Sequence, residues 1–310
     1  MNTFSPAMKQ YFMAQMEPTH NARQKALEIF YLSQFLNTPE GQKWKKENMV
    51  CNYEDYECPD FLFSTSTGTK VGLEIVDWVN QTKECRATQI LLDVAGDICR
   101  TIKRERNINL SLIIDIYDPN EWEAKTRKDF LKHAYNPGIK HLQANKKEIK
   151  KRFLEIILNT PNLTDYPEQK WVEINSQKFK LSFSRSWRDY PNFFVNNIST
   201  CWNNPIQAIQ DVISEKNGKY TSYTKNCKTC SLLIVPPLYN TGNCLITPEV
   251  ISSHHFNSKF KKTYILELRD TDGPVVSEII NKKKGLHYIV FKIISLIHRL
   301  RVLLVLKLVL

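Results

Sequence analysis

The chain has 310 residues, which is long for one domain and short for two. Hydrophobic residues make up 42% of it, so a sizeable core can form and disorder over the whole chain is excluded. Lys and Arg number 43 against 32 Asp and Glu, and the resulting charge of +11 favours a polyanionic partner such as nucleic acid or an anionic membrane surface.

The cysteines and the N-terminal segment indicate the cellular compartment of the protein. Eight cysteines are scattered along the chain without the spacing of a disulfide framework. Residues 1–15 contain no continuous apolar core of the signal-peptide type. We therefore expect a cytoplasmic protein with reduced thiols.

The hydrophobic pattern predicts helices and strands in alternation. In chain order these are a helix over 22–37, strands over 60–64 and 70–76, a helix over 88–106, a strand over 109–116, a helical stretch over 121–158, a hairpin over 170–184, a helix over 205–217, and strands over 231–235 and 263–268. Asn21 is the predicted N-cap of the first helix, and Pro39 and Gly41 are expected to end it. This order predicts an α/β fold with a central mixed sheet flanked by helices, in one domain over 1–286 with a helical and hairpin insertion at about 120–200.

The last segment, 287–310, is apolar but interrupted by basic residues. A clean membrane-spanning helix needs about 20 apolar residues, so the charges argue against one. An interfacial helix that contacts a membrane, a partner-binding segment and a terminal core element all remain open.

Two acidic residues flank the turn between the first two predicted strands. If that turn is centred on Thr67, Asp60 lies opposite Glu74. Directly opposed residues of an antiparallel pair have Cβ atoms about 5 Å apart on one face, and two carboxylates placed so repel each other. A bound divalent cation would compensate, because Mg²⁺ takes oxygen ligands and is often held by one or two carboxylates plus substrate phosphate.

Glu74 admits a second interpretation. It lies in an apolar strand, where an inward-facing acid is unfavourable unless it is paired or bound to metal. The alternative is that Glu74 faces solvent on the polar side of an edge strand.

The sequence around these two acidic residues resembles the PD-(D/E)xK nuclease superfamily, which has the restriction-endonuclease-like fold. Pro59-Asp60 is followed, after thirteen residues, by Glu74 in an apolar strand. The segments ECPDF and VGLEIV are similar to a poorly characterised bacterial branch, which also carries a later helix with spaced lysines and tyrosines. Residues matching that helix are Ile213, Lys216, Lys219, Tyr220 and Tyr223.

The resemblance implies a restriction-endonuclease-like core and Mg²⁺- or Mn²⁺-dependent hydrolysis of nucleic acid, with DNA favoured. Asp60 and Glu74, with Glu57, would hold the metal, and Glu28 is the candidate acid on an N-terminal helix. The chain departs from the family pattern at Val76, where the usual lysine would stand. Lys216 is the candidate replacement. If no lysine reaches the site, the chain would instead be a non-catalytic module that binds nucleic acid or protein.

Further basic and aromatic residues could contact nucleic acid. The candidates are Lys103, Arg104, Lys150, Lys151, Lys219 and Tyr220. For either basic run alone, a solvated helix face is the favoured interpretation. The aromatic cluster over 187–194 could stack on bases, but core packing is the favoured interpretation.

Cys227 and Cys230, with Cys244 and a histidine at 254 or 255, offer four potential zinc ligands. The irregular spacing argues against zinc. Cys230 directly precedes a predicted strand, which suits a buried thiol.

Overall fold

Two mixed β-sheets and six helices form the described part of the chain. The computed structural model describes residues 6–77, 83–117, 138–197, 205–236, 251, 253–268, 273–279 and 281. The helices are α1 (Pro6–Gln15), α2 (His20–Leu36), α3 (Pro39–Glu47), α4 (Lys83–Arg106), α5 (Gly138–Leu158) and α6 (Pro205–Tyr223). The strands are β1 (Val50–Asp55), β2 (Phe61–Thr65), β3 (Lys70–Asp77), β4 (Leu110–Tyr117), β5 (Glu168–Ile174), β6 (Gln177–Arg185), β7 (Asn192–Asn197), β8 (Thr229–Val235), β9 (Thr263–Glu267) and β10 (Val275–Glu278).

The first sheet has six strands in the order β1-β2-β3-β8-β9-β10. Strands β3, β8 and β9 run parallel in its centre, and the outer neighbours pair antiparallel. Strand β3 is buried along almost its whole length, because helices cover both faces of the sheet. Phe61, Leu73 and Leu233 pack towards the core shared with α2 and α3. Leu62 and Val76 pack with the apolar residues of α6 on the opposite face.

The second sheet has four strands in the order β5-β6-β4-β7. Helix α4 packs on β4 and β7, and α5 packs beside α4. The prediction of a single central sheet is therefore corrected: the strand at 110–117 pairs with β6 and β7 and belongs to a sheet of its own. The class, α/β with mixed sheets flanked by helices, is confirmed. The predicted hairpin is present as β5 and β6.

Ion pairs hold α4 against its helical neighbours. Arg23 of α2 contacts Asp93, which also pairs with Lys146 of α5 at 2.7 Å. One turn further along α4, Asp97 pairs with Lys150 at 3.1 Å. Moving four residues along α4, from Asp93 to Asp97, also moves the partner four residues along α5, from Lys146 to Lys150. The two helices therefore run parallel. This arrangement gives Lys150 a structural role.

Two local predictions at the first helix are corrected. Helix α2 begins at His20, and its N-cap is Thr19, not Asn21; the Thr19 hydroxyl accepts from the Ala22 N–H at 3.2 Å. The helix ends where expected, but Pro39 then begins α3, which Thr38 caps through the Gly41 N–H at 3.1 Å. Proline suits this position, since the first turn of a helix leaves its N–H groups unpaired.

The aromatic cluster over 187–194 divides between core and surface. Tyr190 and Phe193 are buried and pack against Phe12, as the core interpretation predicts. Trp187 is 58% exposed, with the Arg188 guanidinium 4.7 Å from its ring centroid. The segment 287–310 and Cys244 lie outside the described residues. No helix within the described ranges has the length and apolarity needed to cross a bilayer.

Candidate active site

The β2–β3 hairpin brings Asp60 and Glu74 to one face of the first sheet. Its turn contains Gly68 with φ 76°, and Phe61 pairs with Leu73. One step further, this register places Asp60 opposite Glu74, as the turn centred on Thr67 predicts. Side chains alternate along a strand, so both acids lie on the face that α6 covers.

Glu74 is buried and doubly hydrogen-bonded. Glu74 as a whole residue is 4% exposed to solvent. The Lys216 ammonium donates to its Oε1 at 2.7 Å, and the Tyr223 hydroxyl donates to the same oxygen at 2.9 Å. Strand β3 is central, so the alternative of a solvent-facing glutamate on an edge strand is wrong. Among the described residues, Oε2 of Glu74 receives no hydrogen bond.

Asp60 is held in a less favourable position for a charge. Its Oδ2 accepts from the Ile75 backbone N–H at 2.6 Å. Burial, followed by repulsion from Glu74 and Glu28, raises the pKa of Asp60 to about 8. The pair therefore carries less than its full negative charge near neutral pH, and a cation would be favoured beside it.

Lys216 stays protonated. Burial lowers the pKa of its ammonium, but the Glu74 carboxylate and the negative charge of Asp60 outweigh that effect, so the pKa is raised overall. Its side chain is 14% exposed against 6% for that of Glu74, which makes this a buried ion pair.

The two other acids suggested by the sequence have different surroundings. Glu28 of α2 is buried, and its two oxygens accept from Gln24 Nε2 at 2.9 Å and Lys25 Nζ at 3.0 Å. It acts on Asp60 through its charge while its own oxygens are hydrogen-bonded. Glu57 is exposed.

A divalent cation would therefore have few protein ligands. Within the described ranges, no three His, Cys, Asp or Glu side chains are grouped to hold a metal ion. Asp60 and Glu74 still fit a hard cation, because such ions are often held by one or two carboxylates and completed by water and substrate oxygens. Burial, followed by repulsion from Glu74, raises the pKa of Asp60, and a bound ion would offset both effects.

A cleft opens beside Lys216, at the end of β3. It encloses about 300 Å³ accessible to water and lies between α2, α4 and α6. Its lining includes Arg23, Glu28, Val76, Asp77 and Lys216. Val76 of β3 therefore borders the same space as Lys216 of α6.

The proposed nucleic-acid contacts fall into two groups. Lys219 and Tyr220 lie on α6, within about one turn of Lys216; Lys219 is 59% exposed, and the Tyr220 ring packs edge-on against Phe260 at 5.1 Å. Lys103, Arg104, Lys150 and Lys151 lie on α4 and α5, the helices that cover the second sheet. Of these, Lys103, Arg104 and Lys151 are exposed.

The potential zinc ligands considered from the sequence are not grouped among the described residues. Cys227 and Cys230 are buried, whereas His254 and His255 are exposed. The two thiols lie instead beside Gly72, next to the acidic pair.

Tyr223 is the functional candidate that sequence reasoning left without a role. It matches the helix pattern, but its hydrogen bond to Glu74 depends on how α6 crosses β3. The sequence indicates its proximity to Lys216 through helical spacing, because positions 216, 220 and 223 fall on one face of a helix. An ionisable residue on that face is a candidate to meet a buried acid.

Replacing Asp60 with asparagine is expected to change the pH dependence of stability. Because the pKa of Asp60 is raised from 3.8 to about 8 on folding, the folded chain retains a proton that the unfolded chain releases. Wild-type stability therefore falls as the pH rises from about 4 to about 8. The amide oxygen of the substituted side chain can still accept from the Ile75 N–H, but the amide never ionises.

We expect Asp60→Asn to gain stability relative to wild type as the pH rises through that window, by several kcal/mol in all. Urea unfolding at pH 5 and pH 9 measures the effect. A stability difference that is the same at both pH values would show that Asp60 ionises normally in the folded chain.

Protein-family models, curated proteins and solved structures were each compared with the chain, and none of them matches it.

Proposed function

We propose that the chain is a divalent-metal-dependent phosphodiesterase that cleaves nucleic acid, with DNA as the favoured substrate. The observation that carries this proposal is the juxtaposition of two opposed carboxylates, Asp60 and Glu74, with the buried ammonium of Lys216. Phosphodiester hydrolysis requires compensation of the negative charge that develops on the phosphate, and this set of groups suits that requirement.

The metal would be Mg²⁺ or Mn²⁺, held by Asp60 and by the free Oε2 of Glu74. When bound, it would polarise the phosphate and lower the pKa of a coordinated water. Tyr223 and Lys216 both donate to Oε1 of Glu74, which fixes the carboxylate and leaves Oε2 available for the cation. Without those two bonds the glutamate would have to order itself upon metal binding.

Lys216 is proposed as an electrostatic stabiliser. A general base must be able to lose its proton near the working pH. The raised pKa of Lys216 keeps it charged there, so it would stabilise charge on the phosphate oxygens and would not remove a proton from water. In this role a lysine on α6 substitutes for one at position 76.

The substrate class follows from charge. The chain carries +11, and exposed Lys219 lies about one helical turn from Lys216. A polyanion would gain from these cations through counterion release, with an affinity that falls as salt rises.

A non-catalytic nucleic-acid-binding module is the second candidate. It is favoured by one observation: Lys216 is already paired with Glu74, and Val76 occupies the usual lysine position. Such a module would bind DNA in a salt-sensitive way without cleaving it, and it would not require Glu74.

The test is cleavage of plasmid DNA, single-stranded DNA and RNA by purified chain with Mg²⁺, Mn²⁺ or EDTA. We expect cleavage with either metal and none with EDTA. Salt-sensitive binding without cleavage of any substrate would support the non-catalytic module, and cleavage undiminished by EDTA would contradict metal dependence.

A further inference from the structure

Two thiols are packed together beneath the candidate active site. Cys227 lies in the turn after α6, and Cys230 lies in β8, where it pairs with Gly72 of β3. A Cβ atom at position 72 would lie 2.9 Å from Cys227 Sγ and 3.2 Å from Cys230 Sγ. Both sulfurs therefore occupy the space that a side chain at Gly72 would take, which brings them close to each other.

The environment of the two sulfurs differs. The Cys230 thiol donates to the Ser231 carbonyl at 3.5 Å. The nearby Cys230 side chain and the Gly72 N–H lower the pKa of the Cys227 thiol despite its burial. The nearby Cys227 side chain, followed by burial, raises the pKa of Cys230. Thiolates are the reactive form of cysteine. Cys227 is 7% exposed and Cys230 is fully buried, so the residue with the lowered thiol pKa is also the less buried one.

We propose that Cys227 and Cys230 are a reversible oxidation site that peroxides convert to a disulfide. The Cys227 thiolate attacks one oxygen of hydrogen peroxide, forming an S–O bond as the O–O bond breaks; the departing hydroxide takes a proton and becomes water. Cys230 then attacks the sulfenic sulfur, forming the S–S bond and releasing a second water. Two thiols lose two electrons in total, and one peroxide is reduced. A dithiol reductant reverses the reaction.

The location links this site to the acidic pair. The Cys227 thiol donates to the Tyr223 carbonyl at 3.3 Å, and the Tyr223 hydroxyl holds Glu74. A disulfide removes the thiol proton and with it that bond to the end of α6. A Cβ atom at position 72 would also meet the ring of Pro59, the residue directly before Asp60. On the function proposed above, oxidation is therefore expected to slow cleavage.

The experiment treats the full-length reduced chain with hydrogen peroxide, blocks the remaining thiols by alkylation and digests it with trypsin. Trypsin cuts after Lys228, between the two cysteines, so the disulfide joins two peptides that dithiothreitol separates. The second peptide also contains Cys244. Cys230→Ser and Cys244→Ser therefore identify the partner, and Cys51→Ser, at an exposed thiol, is the matched control.

We expect the linked peptides in wild type, Cys51→Ser and Cys244→Ser, and their absence in Cys230→Ser. Linkage of Cys227 to any other cysteine, or no linkage while Cys51 is oxidised, would overturn the proposal. The linkage is measured without a substrate. A disulfide in a chain that never cleaves DNA would count against the proposed function alone, and a DNA-cleaving chain without the disulfide would count against this inference alone.

Discussion

Replacing Glu74 with glutamine is expected to lower metal-dependent DNA cleavage by at least about 100-fold while leaving the fold intact. Glutamine is nearly isosteric, and its carbonyl oxygen can still accept from Lys216 and Tyr223. What it removes is the negative charge that would bind the cation. Initial cleavage rates at saturating Mg²⁺, with circular dichroism to verify folding, measure the effect.

The matched control is Glu54→Gln. Glu54 is an acid on the edge strand β1 of the same sheet, but its side chain is 52% exposed and pairs with Lys70. We expect this variant to retain wild-type cleavage, because an exposed ion pair contributes about 0–1 kcal/mol and lies outside the buried site. Equal activity of Glu74→Gln and Glu54→Gln would remove Glu74 from any catalytic role.

Replacing Lys216 with methionine is expected to destabilise the chain by about 3–5 kcal/mol, because Glu74 would remain buried without its counter-charge. Methionine conserves most of the side-chain volume, so the effect isolates the charge. Chemical denaturation at pH 7 measures the loss, and cleavage should fall in parallel.

Two further variants make this a strict test. In Glu74→Gln/Lys216→Met neither charge remains, so the double variant should be more stable than Lys216→Met alone. Lys225→Met, at an exposed lysine just beyond α6, should change stability by less than about 0.5 kcal/mol. A Lys216→Met variant as stable as Lys225→Met would mean that the ammonium does not compensate Glu74.

The acidic pair was predictable because local sequence determines it. The segment STSTGT, at the end of β2 and in the turn to β3, contains one glycine able to adopt the positive φ that the turn requires. This fixes the register of β2 against β3. Once the register is set, Asp60 and Glu74 must share a face. The ion pair between Glu74 and Lys216 joins residues 142 positions apart. The resemblance to a family motif predicts Lys216 near the site, but not its pairing with Glu74.

The second sheet was not predictable in the same way. Strand β4 is a short apolar run, and such a run fits a central position in either of two sheets. Its parallel partner β7 is rich in aromatic residues and was interpreted as a cluster without a strand. Edge strand β1 is exposed along nearly its whole length, so it lacks the alternation that signals a strand. Helix α3 buries only Gly41 and Trp44, too few positions to give a helical period.

The metal site is tested most directly by measuring Mn²⁺ binding with electron paramagnetic resonance. The measurement compares the wild-type chain with the double variant Asp60→Asn/Glu74→Gln. Two opposed carboxylates that bind a divalent ion predict one bound Mn²⁺ per wild-type chain and loss of that binding in the double variant. Equal Mn²⁺ binding by both proteins, or none by wild type in the presence of DNA, would contradict the metal site at Asp60 and Glu74.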